Sequence, residues 1–313
     1  MTATPCAESR RLEGFEHQAV FYRGLGGLVE AVLPFIREGI ERGEPVLVAL
    51  PPDRLDAVEQ ALGADATRVD FVDMSELGAN PACIIPEWLR FLEDVAEGGP
   101  VRGVGEPVWS GRRDVEVEEA VLHEALVNLA FDGAHAWHLL CPYDVENLPA
   151  EVLEEAARIH PVGDGPVRAP YAGAEYARTR FRGQLPPAPA SADTLPFGAE
   201  DLAGLRSTVR RLAAQAGVSR AAADDLVLAG HELATNSVLH GGGHGMLRAW
   251  RQPDAFVVEV SDAGVIDDPL VGRGLLDEFA ENGRGIWMAN QLCDLVQVRS
   301  GADGTVVRLF TWL

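Results

Sequence analysis

The first half of the chain alternates short apolar runs with longer stretches in which apolar residues recur at helical spacing. Residues 45–50 form a continuous apolar run, whereas Leu28 and Val32 in the stretch 27–42 fall on one face of a helix. The same alternation continues as far as residue 159. Strands that alternate with helices predict a mostly parallel sheet with helices on its faces, and we assign this α/β domain to residues 1–162.

A change of composition separates this region from a second α/β region. Residues 185–192 are rich in proline and alanine, so we predict an extended linker over 163–197. Two amphipathic helices follow, the second of them starting after Ser219 as its N-cap, and two β-hairpins come next. Helices on one face of a mixed sheet predict an α/β sandwich for residues 198–313.

Charge and residue usage exclude several classes of function. The net charge of −22 is unfavourable for binding a phosphate backbone, so we expect no nucleic-acid partner. The chain contains no lysine, which excludes a nucleotide site of the usual P-loop type. Its four cysteines include no CxxC pair, which argues against a disulfide framework or a structural zinc site. No apolar run could span a bilayer and no signal segment opens the sequence, so we expect a cytoplasmic protein with no membrane partner.

Residues 231–240 of the second predicted helix place Glu232 four positions before Asn236, so the two side chains lie about one turn apart on the same side. A glutamate can serve as a general base, and an amide oxygen suits a hard cation such as Mg²⁺. The pair alone is more typical of a solvated helix edge. Three short segments follow it along the chain: Asp262-Ala263-Gly264, Gly283-Arg284-Gly285 and Gly304-Thr305.

In this order and spacing, the four segments resemble the N, G1, G2 and G3 boxes of the GHKL, or Bergerat, ATP-binding fold. Over residues 198–313 the chain looks most like the bacterial anti-sigma-factor serine kinases, which implies ATP and Mg²⁺ as cofactors. The resemblance implies that Asp262 accepts a hydrogen bond from adenine with support from Thr305. It also implies that Glu232 is the catalytic base and that Asn236 holds the Mg²⁺. The other residues that it assigns to the nucleotide site are His240, Gly264, Gly283, Arg284 and Gly285.

Two departures from the family pattern leave the activity open. A second glycine expected two positions after Gly264 is missing, and the segment 267–282 is short and acidic where some relatives carry a longer ATP lid. The resemblance implies a kinase that phosphorylates a serine of an anti-anti-sigma (STAS-type) protein and so controls a sigma factor. A module that binds its partner under the control of ATP without transferring phosphate is the first alternative. A histidine-kinase-like ATPase that acts on a separate protein is the second.

The first half of the chain resembles the MEDS sensory domain, a relative of RecA- and KaiC-like folds that lacks the P-loop. This resemblance implies a sensory input from a small molecule or a protein. Kinases of the anti-sigma type are often dimers, so a homodimer is also open. The residues that carry the resemblance are His17, Tyr22, Gly105-Glu106-Pro107-Val108-Trp109, Glu124, Asn128, Cys141-Pro142-Tyr143-Asp144 and His160-Pro161.

Four of these residues follow predicted strand ends, where ligands bind in open α/β sheets. We therefore predict a sensory pocket formed by Glu106, Trp109, Tyr143 and Asp144. Glu124 and Asn128 repeat the four-residue spacing of the later pair. No glycine boxes follow them, and we expect them to make internal hydrogen bonds. Cys141 is interpreted as a small buried residue, with a sensing role left open.

Overall fold

The structure is a computed structural model that describes residues 14–95, 99–133, 136–163, 169–275 and 283–313. The helices are α1 (Gly24–Arg42), α2 (Pro52–Leu62), α3 (Met74–Leu77), α4 (Ile84–Val95), α5 (Asp114–Ala130), α6 (Ala150–Ile159), α7 (Gly173–Phe181), α8 (Leu202–Ala216), α9 (Arg220–His240) and α10 (Arg284–Leu292). The strands are β1 (Phe15–Tyr22), β2 (Val46–Leu50), β3 (Asp70–Asp73), β4 (Val101–Gly105), β5 (Trp137–Asp144), β6 (Val162–Gly163), β7 (Asp193–Gly198), β8 (His244–Arg251), β9 (Ala255–Asp262), β10 (Leu295–Gly301) and β11 (Gly304–Trp312).

The first six strands form one parallel sheet in the order β3-β2-β4-β5-β1-β6. Every residue of β2 and of β4 is buried, which is typical of parallel strands covered by helices on both faces. One apolar core lies on each face of the sheet, and α1 and α2 pack on the face opposite to α4 and α5. The predicted α/β architecture of this region is confirmed.

The last five strands form a second sheet in the order β10-β11-β9-β8-β7. Every observed pairing in it is antiparallel, whereas the sequence interpretation expected a mixed sheet. Helices α8, α9 and α10 cover one face and share a single apolar core with it. Ser219 caps α9 as predicted, because its side chain accepts a hydrogen bond from the Ala222 amide at 3.3 Å.

The region predicted as a linker contains two regular elements. Helix α7 packs against α5 and α6, and strand β7 pairs with the edge of the second sheet through β8. Pro196 lies within β7, and an edge strand tolerates a proline because one side of its backbone needs no partner. The described residues 169–172 before α7 and 182–192 between α7 and β7 have no helix or strand, so the predicted extended linker is interrupted by these two elements.

Helix α5 lies between the two sheets. Its residues from Glu119 to Val127 are all buried, which is the pattern of a helix enclosed on every side rather than of an amphipathic surface helix. Val115 at its start packs against Trp250 and Phe310 on the face of the second sheet that α8, α9 and α10 leave open. The helix therefore contributes to both halves of the molecule. None of the helices in the described residues combines the length and hydropathy needed to cross a membrane.

Candidate functional site

Asp262, the last residue of β9, is held by two hydrogen bonds. The Ser237 hydroxyl of α9 donates to its Oδ2 at 2.5 Å, and the Gly264 amide donates to its Oδ1 at 2.8 Å. Each carboxylate oxygen can accept a second hydrogen bond, and the side chain is only half-buried. The strand end thus offers a carboxylate in a fixed orientation with acceptor capacity to spare.

The loop after β9 is ordered by two hydroxyl groups from the neighbouring hairpin. Thr305 pairs with Asp262 across the antiparallel strands and donates to the Gly264 carbonyl at 2.8 Å. Ser300 lies 2.8 Å from the Thr305 hydroxyl and accepts from the Ile266 amide at 2.7 Å. The threonine predicted to support Asp262 therefore does so through the loop rather than by touching the carboxylate.

Glycines allow the backbone to approach Asp262 from two sides. A Cβ atom on Gly241 would lie 2.4 Å from the Asp262 carboxyl carbon, and one on Gly304 would lie 2.1 Å from the Asp262 carbonyl oxygen. Gly304 also has a φ of +104°, which other residues rarely adopt. Sequence reasoning missed Ser237, Gly241 and Ser300. The sequence offered a signal for Ser237 alone: it lies one turn after Leu233, on the buried face of the same helix.

Glu232 and Asn236 lie on α9 against the start of α10. A Cβ atom on Gly285 would lie 2.5 Å from Asn236 Nδ2 and 3.7 Å from Glu232 Cβ, so any other residue here would displace the Asn236 amide. Gly283 caps α10 with a φ of +88°, and the exposed Arg284 is the first residue of the helix. The structure therefore brings the two helical residues together with the glycine segment that follows them much later in the sequence.

His240 completes the set at the exposed end of α9. Its carbonyl oxygen would lie 2.9 Å from a Cβ atom on Gly264, so this end of the helix packs closely against the loop after β9. The predicted nucleotide residues thus lie on α9, at the end of β9 and in the loop after it, and at the start of α10, except for Thr305 on β11. A groove of about 660 Å³ borders the same loop from the β7–β8 side, but Asp262 is the one predicted residue among those that line it.

The segment predicted as a short lid contacts α5 in the first half of the chain and α10 in the second half. Arg273 Nη2 lies 3.6 Å from Glu119 Oε2 on α5, and Arg299 of β10 donates to Glu119 Oε1 at 2.5 Å. All three side chains are buried. Asn290 of α10 donates to the Gly272 carbonyl at 2.9 Å. The positions 276–282 of the predicted lid lie outside the described residues.

The same asparagine also bonds across to the first half of the chain. Asn80 Nδ2 donates to the Asn290 backbone oxygen at 3.0 Å, and Asn80 is buried. Two contacts, one through α5 and one through α10, therefore fix the beginning of the lid segment.

Of the four residues predicted to form a sensory pocket, Glu106 and Asp144 meet through a shared arginine. Arg54 Nη1 lies 2.7 Å from Glu106 Oε1, and Arg54 Nη2 lies 3.9 Å from Asp144 Oδ2. The Tyr22 hydroxyl donates to Glu106 Oε1 at 2.7 Å. Burial raises the pKa of Glu106 to about 8, against the opposing effect of Arg54 and Tyr22.

The other two predicted pocket residues lie elsewhere. Tyr143 points to the opposite face of the sheet from Asp144, as neighbours on a strand do, and donates to Glu124 Oε2 at 3.1 Å. Trp109 stacks beneath the Arg112 guanidinium, whose carbon lies 3.6 Å from the ring centroid. Within the described residues, the four side chains therefore occupy three separate environments and do not converge on one pocket.

Comparisons with known families match the two halves separately. The MEDS family (MEthanogen/methylotroph, DcmR Sensory domain) matches residues 16–161, and the histidine kinase-like ATPase domain family matches residues 195–311. The chain joins a MEDS domain to a histidine kinase-like ATPase domain. The ATPase match begins within β7, so this strand counts with the ATPase domain although it precedes the predicted start at residue 198.

Solved structures also match the chain. One is the crystal structure of the RsbU and RsbW domains of Rv1364c from Mycobacterium tuberculosis, with 20% sequence identity and a TM-score of 0.29. This match covers 38% of this chain and 32% of that chain, so it spans about a third of the length of that structure. No curated protein matches the chain.

Proposed function

We propose that the ATPase domain binds Mg-ATP and that the chain is a signalling regulator. It controls a sigma factor by phosphorylating a serine of an anti-anti-sigma (STAS-type) protein. The observation that carries the nucleotide proposal is the anchored carboxylate of Asp262, which is bonded to Ser237, the residue directly after Asn236 on α9. Glu232 and Asn236 lie on the same helix, in a domain whose family is that of histidine kinase-like ATPases.

Asp262 is suited to read adenine. Ser237 and Gly264 occupy one acceptor position on each of its oxygens, which leaves acceptor positions for the exocyclic amine of adenine. Guanine carries a carbonyl oxygen at the corresponding position, and this oxygen would face the carboxylate with no hydrogen between them. The proposal therefore implies selection of ATP over GTP.

The start of α10 is suited to hold the phosphates. Gly283 and Gly285 carry no side chains at this helix end, and the dipole of α10 favours negative charge there. Arg284 adds a cation at the same place. The Asn236 oxygen would hold the Mg²⁺, which neutralises charge on the phosphates, and Glu232 would accept the proton of the attacking serine hydroxyl.

The contacts of Glu119 support control of this site by the MEDS domain. Its carboxylate binds Arg299, whose neighbour Ser300 orders the loop after Asp262. It also faces Arg273 in the lid segment. A shift of α5 would therefore reach both the adenine side and the lid side of the site. We propose that the sensory input acts along this helix.

A second candidate is a module that binds ATP and its partner without transferring phosphate. The position two residues after Gly264 is Ile266, and its side chain packs against the core of the ATPase domain. A glycine at this position would leave the loop freer to close on the phosphates. The packed isoleucine favours a site that binds nucleotide with a fixed loop.

The first experiment is calorimetric titration of ATP and of GTP in the presence of Mg²⁺. Wild type is expected to bind ATP selectively, and Asp262→Asn to lose about 10- to 100-fold in affinity because one charged hydrogen-bond acceptor is removed. Asp303→Asn is the control, since Asp303 is exposed in the β10–β11 turn and accepts from Gln184. Absence of ATP binding in wild type, or equal affinity in Asp262→Asn, would contradict the proposal.

The second experiment separates phosphate transfer from partner binding. Glu232→Gln is expected to abolish transfer to the captured serine-bearing partner while partner binding persists. Acid-stable phosphate on the partner would support a serine kinase, and acid-labile phosphate would indicate a histidine-kinase-like enzyme. Partner binding that depends on ATP, without transfer in wild type, would support the binding module instead.

A further inference from the structure

Four buried side chains of the MEDS domain converge on one point. His17 lies on β1, Glu124 on α5, Cys141 on β5, and His160 directly after α6. Their side-chain nitrogen, oxygen and sulfur atoms all lie within 4.8 Å of one another. None of the four residues is more than 5% exposed. Two imidazoles, a thiol and a carboxyl group are a set of side chains that binds metal ions in proteins.

The hydrogen bonds around the cluster fix which nitrogen of each imidazole carries the hydrogen. His160 Nδ1 lies 2.8 Å from the Ala156 carbonyl oxygen, which can only accept. His17 Nδ1 lies 3.2 Å from Asn128 Oδ1. The Asn128 amide group donates to the Ile159 carbonyl at 3.2 Å, so its oxygen is the atom left to accept from His17. Both imidazoles therefore carry a hydrogen at Nδ1, and their Nε2 atoms face the centre of the cluster.

The other nitrogen of each ring faces the same carboxylate. His160 Nε2 lies 3.0 Å and His17 Nε2 lies 3.5 Å from Glu124 Oε2. His160 Nε2 is buried and makes no hydrogen bond within the described residues. At these distances a proton on Nε2 or a metal cation must lie between each ring nitrogen and the carboxylate.

We propose that His17, Glu124, Cys141 and His160 form a binding site for a divalent transition-metal ion of the Zn²⁺ type. A tetrahedral Zn²⁺ ion separates its nitrogen, oxygen and sulfur ligands by about 3.3–3.6 Å, as its bond lengths require. The structure has 3.3 Å between His17 Nε2 and Cys141 Sγ, beside the 3.0 and 3.5 Å separations to Glu124. Small movements of the side chains would bring all four atoms to bonding distance.

Residues around the cluster make hydrogen bonds to the proposed ligands, as is usual around metal sites in proteins. The Nδ1 hydrogens of the two histidines point to Asn128 and to the Ala156 carbonyl, and the Tyr143 hydroxyl donates to Glu124. Such outer contacts orient imidazole and carboxylate ligands. Asn128 and Tyr143 therefore act as positioning residues for the metal site.

Metal binding is balanced by the loss of one proton. Cys141 binds as a thiolate, so its S–H bond breaks, an S–metal bond forms, and the proton leaves to solvent. The two negative charges of the thiolate and the Glu124 carboxylate then offset the 2+ charge of the ion. Protons therefore compete with the ion for the Cys141 sulfur.

The absence of a CxxC pair, which argued against a structural zinc site, does not bear on this cluster. Its ligands come from three different strands and helices and from the residue after α6, and the parallel sheet brings them together from positions 17 to 160. Sequence spacing detects metal sites whose ligands share one turn or one loop. Here the spacing between ligands carries no such pattern.

Titration of the metal-free full chain with Co²⁺ and with Zn²⁺ tests the proposal. Co²⁺ bound to a thiolate gives an intense sulfur-to-cobalt absorption band, which surface histidines and carboxylates cannot produce. Wild type is expected to bind one ion per chain, to show this band, and to have a higher Tm with Zn²⁺. Cys141→Ala is expected to lose the band and about 100-fold in Zn²⁺ affinity, at least as much as a change in outer contacts costs.

Matched variants separate the site from other cysteines and from misfolding. Cys293→Ala removes a thiol of similar burial in the ATPase domain and Cys83→Ala removes a half-buried one, and both should keep the band. His160→Gln should keep the band in weakened form and lower Zn²⁺ affinity. Wild type that binds neither ion at one per chain would overturn the proposal. Zn²⁺ affinity that is equal in wild type, Cys141→Ala and His160→Gln would overturn it too, and would leave the cluster as a hydrogen-bonded group.

Discussion

Two helices of this chain carry the same pair of residues at the same spacing, and the structure gives the pairs different surroundings. Glu232 and Asn236 on α9 are half-buried and lie against Gly285, beside an anchored aspartate. Glu124 on α5 is 1% exposed and faces two imidazoles and a thiol, while its companion Asn128 holds one of those imidazoles. The four-residue spacing places an acid and an amide side by side in both cases.

The difference shows that neighbouring residues decide what such a pair can bind. The glycine beside the pair on α9 belongs to the start of a helix, whose dipole suits a phosphate group, and an amide oxygen suits a hydrated Mg²⁺. Nitrogen and sulfur atoms beside the pair on α5 suit a softer ion with no water in its first shell. Identical spacing therefore supports a nucleotide site on one helix and a metal site on the other.

The largest effect is expected from replacing Glu232, the proposed general base on α9. Glu232→Gln should lower ATP turnover by about 10²- to 10⁴-fold, because a general base is lost. The free energy of unfolding of the Glu232→Gln variant should differ from that of wild type by no more than about 0.5 kcal/mol, since the side chain is half-exposed. Asp224→Asn, at an exposed position on the same helix, should keep wild-type turnover. A turnover rate that is equal in Glu232→Gln and wild type would remove the catalytic role from this pair.

The next effect concerns Glu119, which lies on α5 five residues before Glu124 and joins that helix to the ATPase domain. Glu119→Gln leaves Arg299 and Arg273 buried without a counter-charge, so unfolding should cost about 3–5 kcal/mol less. Urea titration measures this change. Glu118→Gln is the control, because the neighbouring side chain is exposed, and it should change stability by under about 1 kcal/mol. Equal stability of the two variants would mean that α5 does not hold the ATPase domain.

A smaller effect is expected when Gly285, which lies against the pair on α9, is replaced by alanine. In Gly285→Ala the new Cβ atom would lie 2.5 Å from Asn236 Nδ2, so the amide must move. We expect a loss of about 1–3 kcal/mol in stability, the usual cost of overpacking, together with weaker binding of Mg-ATP. Gly204→Ala, in the first turn of α8 with open space around it, should be neutral or stabilise by about 0.4–1 kcal/mol. Thermal unfolding and calorimetry measure both, and unchanged Mg-ATP affinity in Gly285→Ala would contradict the assigned place of Asn236.

The smallest effect is expected from replacing Ser237, the residue directly after Asn236. Ser237→Ala removes one of the two hydrogen bonds that hold Asp262, and this should weaken ATP binding by about 0.5–1.5 kcal/mol, or roughly 2- to 12-fold. Ser207→Ala is the control, since that hydroxyl is exposed and donates to the Gly204 carbonyl. A calorimetric affinity for ATP that is the same in both variants would show that Asp262 needs no support from α9.

Much of the fold could be predicted from periodicity, but pairing across long distances could not. The continuous apolar run at β2 and the N-cap at Ser219 are local features, so the sequence alone identifies the strand and the helix start. Strand β7 was missed because it is short and polar, contains Pro196, and has its pattern set by the partner strand β8. β-propensity reflects such context more than intrinsic preference.

The same division holds for the candidate sites. Glu232, Asn236 and Asp262 could be selected as nucleotide residues because ordered boxes accompany them, although their roles stay predictions. Tyr143 does not join the other predicted pocket residues. Neighbouring residues on a strand point to opposite faces of the sheet, so Tyr143 and Asp144 lie on opposite faces. The four side chains of the proposed metal site converge because β5 pairs with β1 and because α5 packs beside them. No local sequence pattern predicts this arrangement.

The most direct test of the account compares the two asparagines, Asn236 on α9 and Asn128 on α5, with two ligands. Mg-ATP and Zn²⁺ are titrated calorimetrically into wild type, Asn236→Ala and Asn128→Ala. We predict that Asn236→Ala weakens Mg-ATP by about tenfold or more, because a ligand of the ion is lost. We predict that Asn128→Ala weakens Zn²⁺ by about 10- to 100-fold, because His17 loses the group that orients it. If both variants weaken the same ligand, or neither variant changes either affinity, the surroundings of the two pairs do not determine what they bind and the account is wrong.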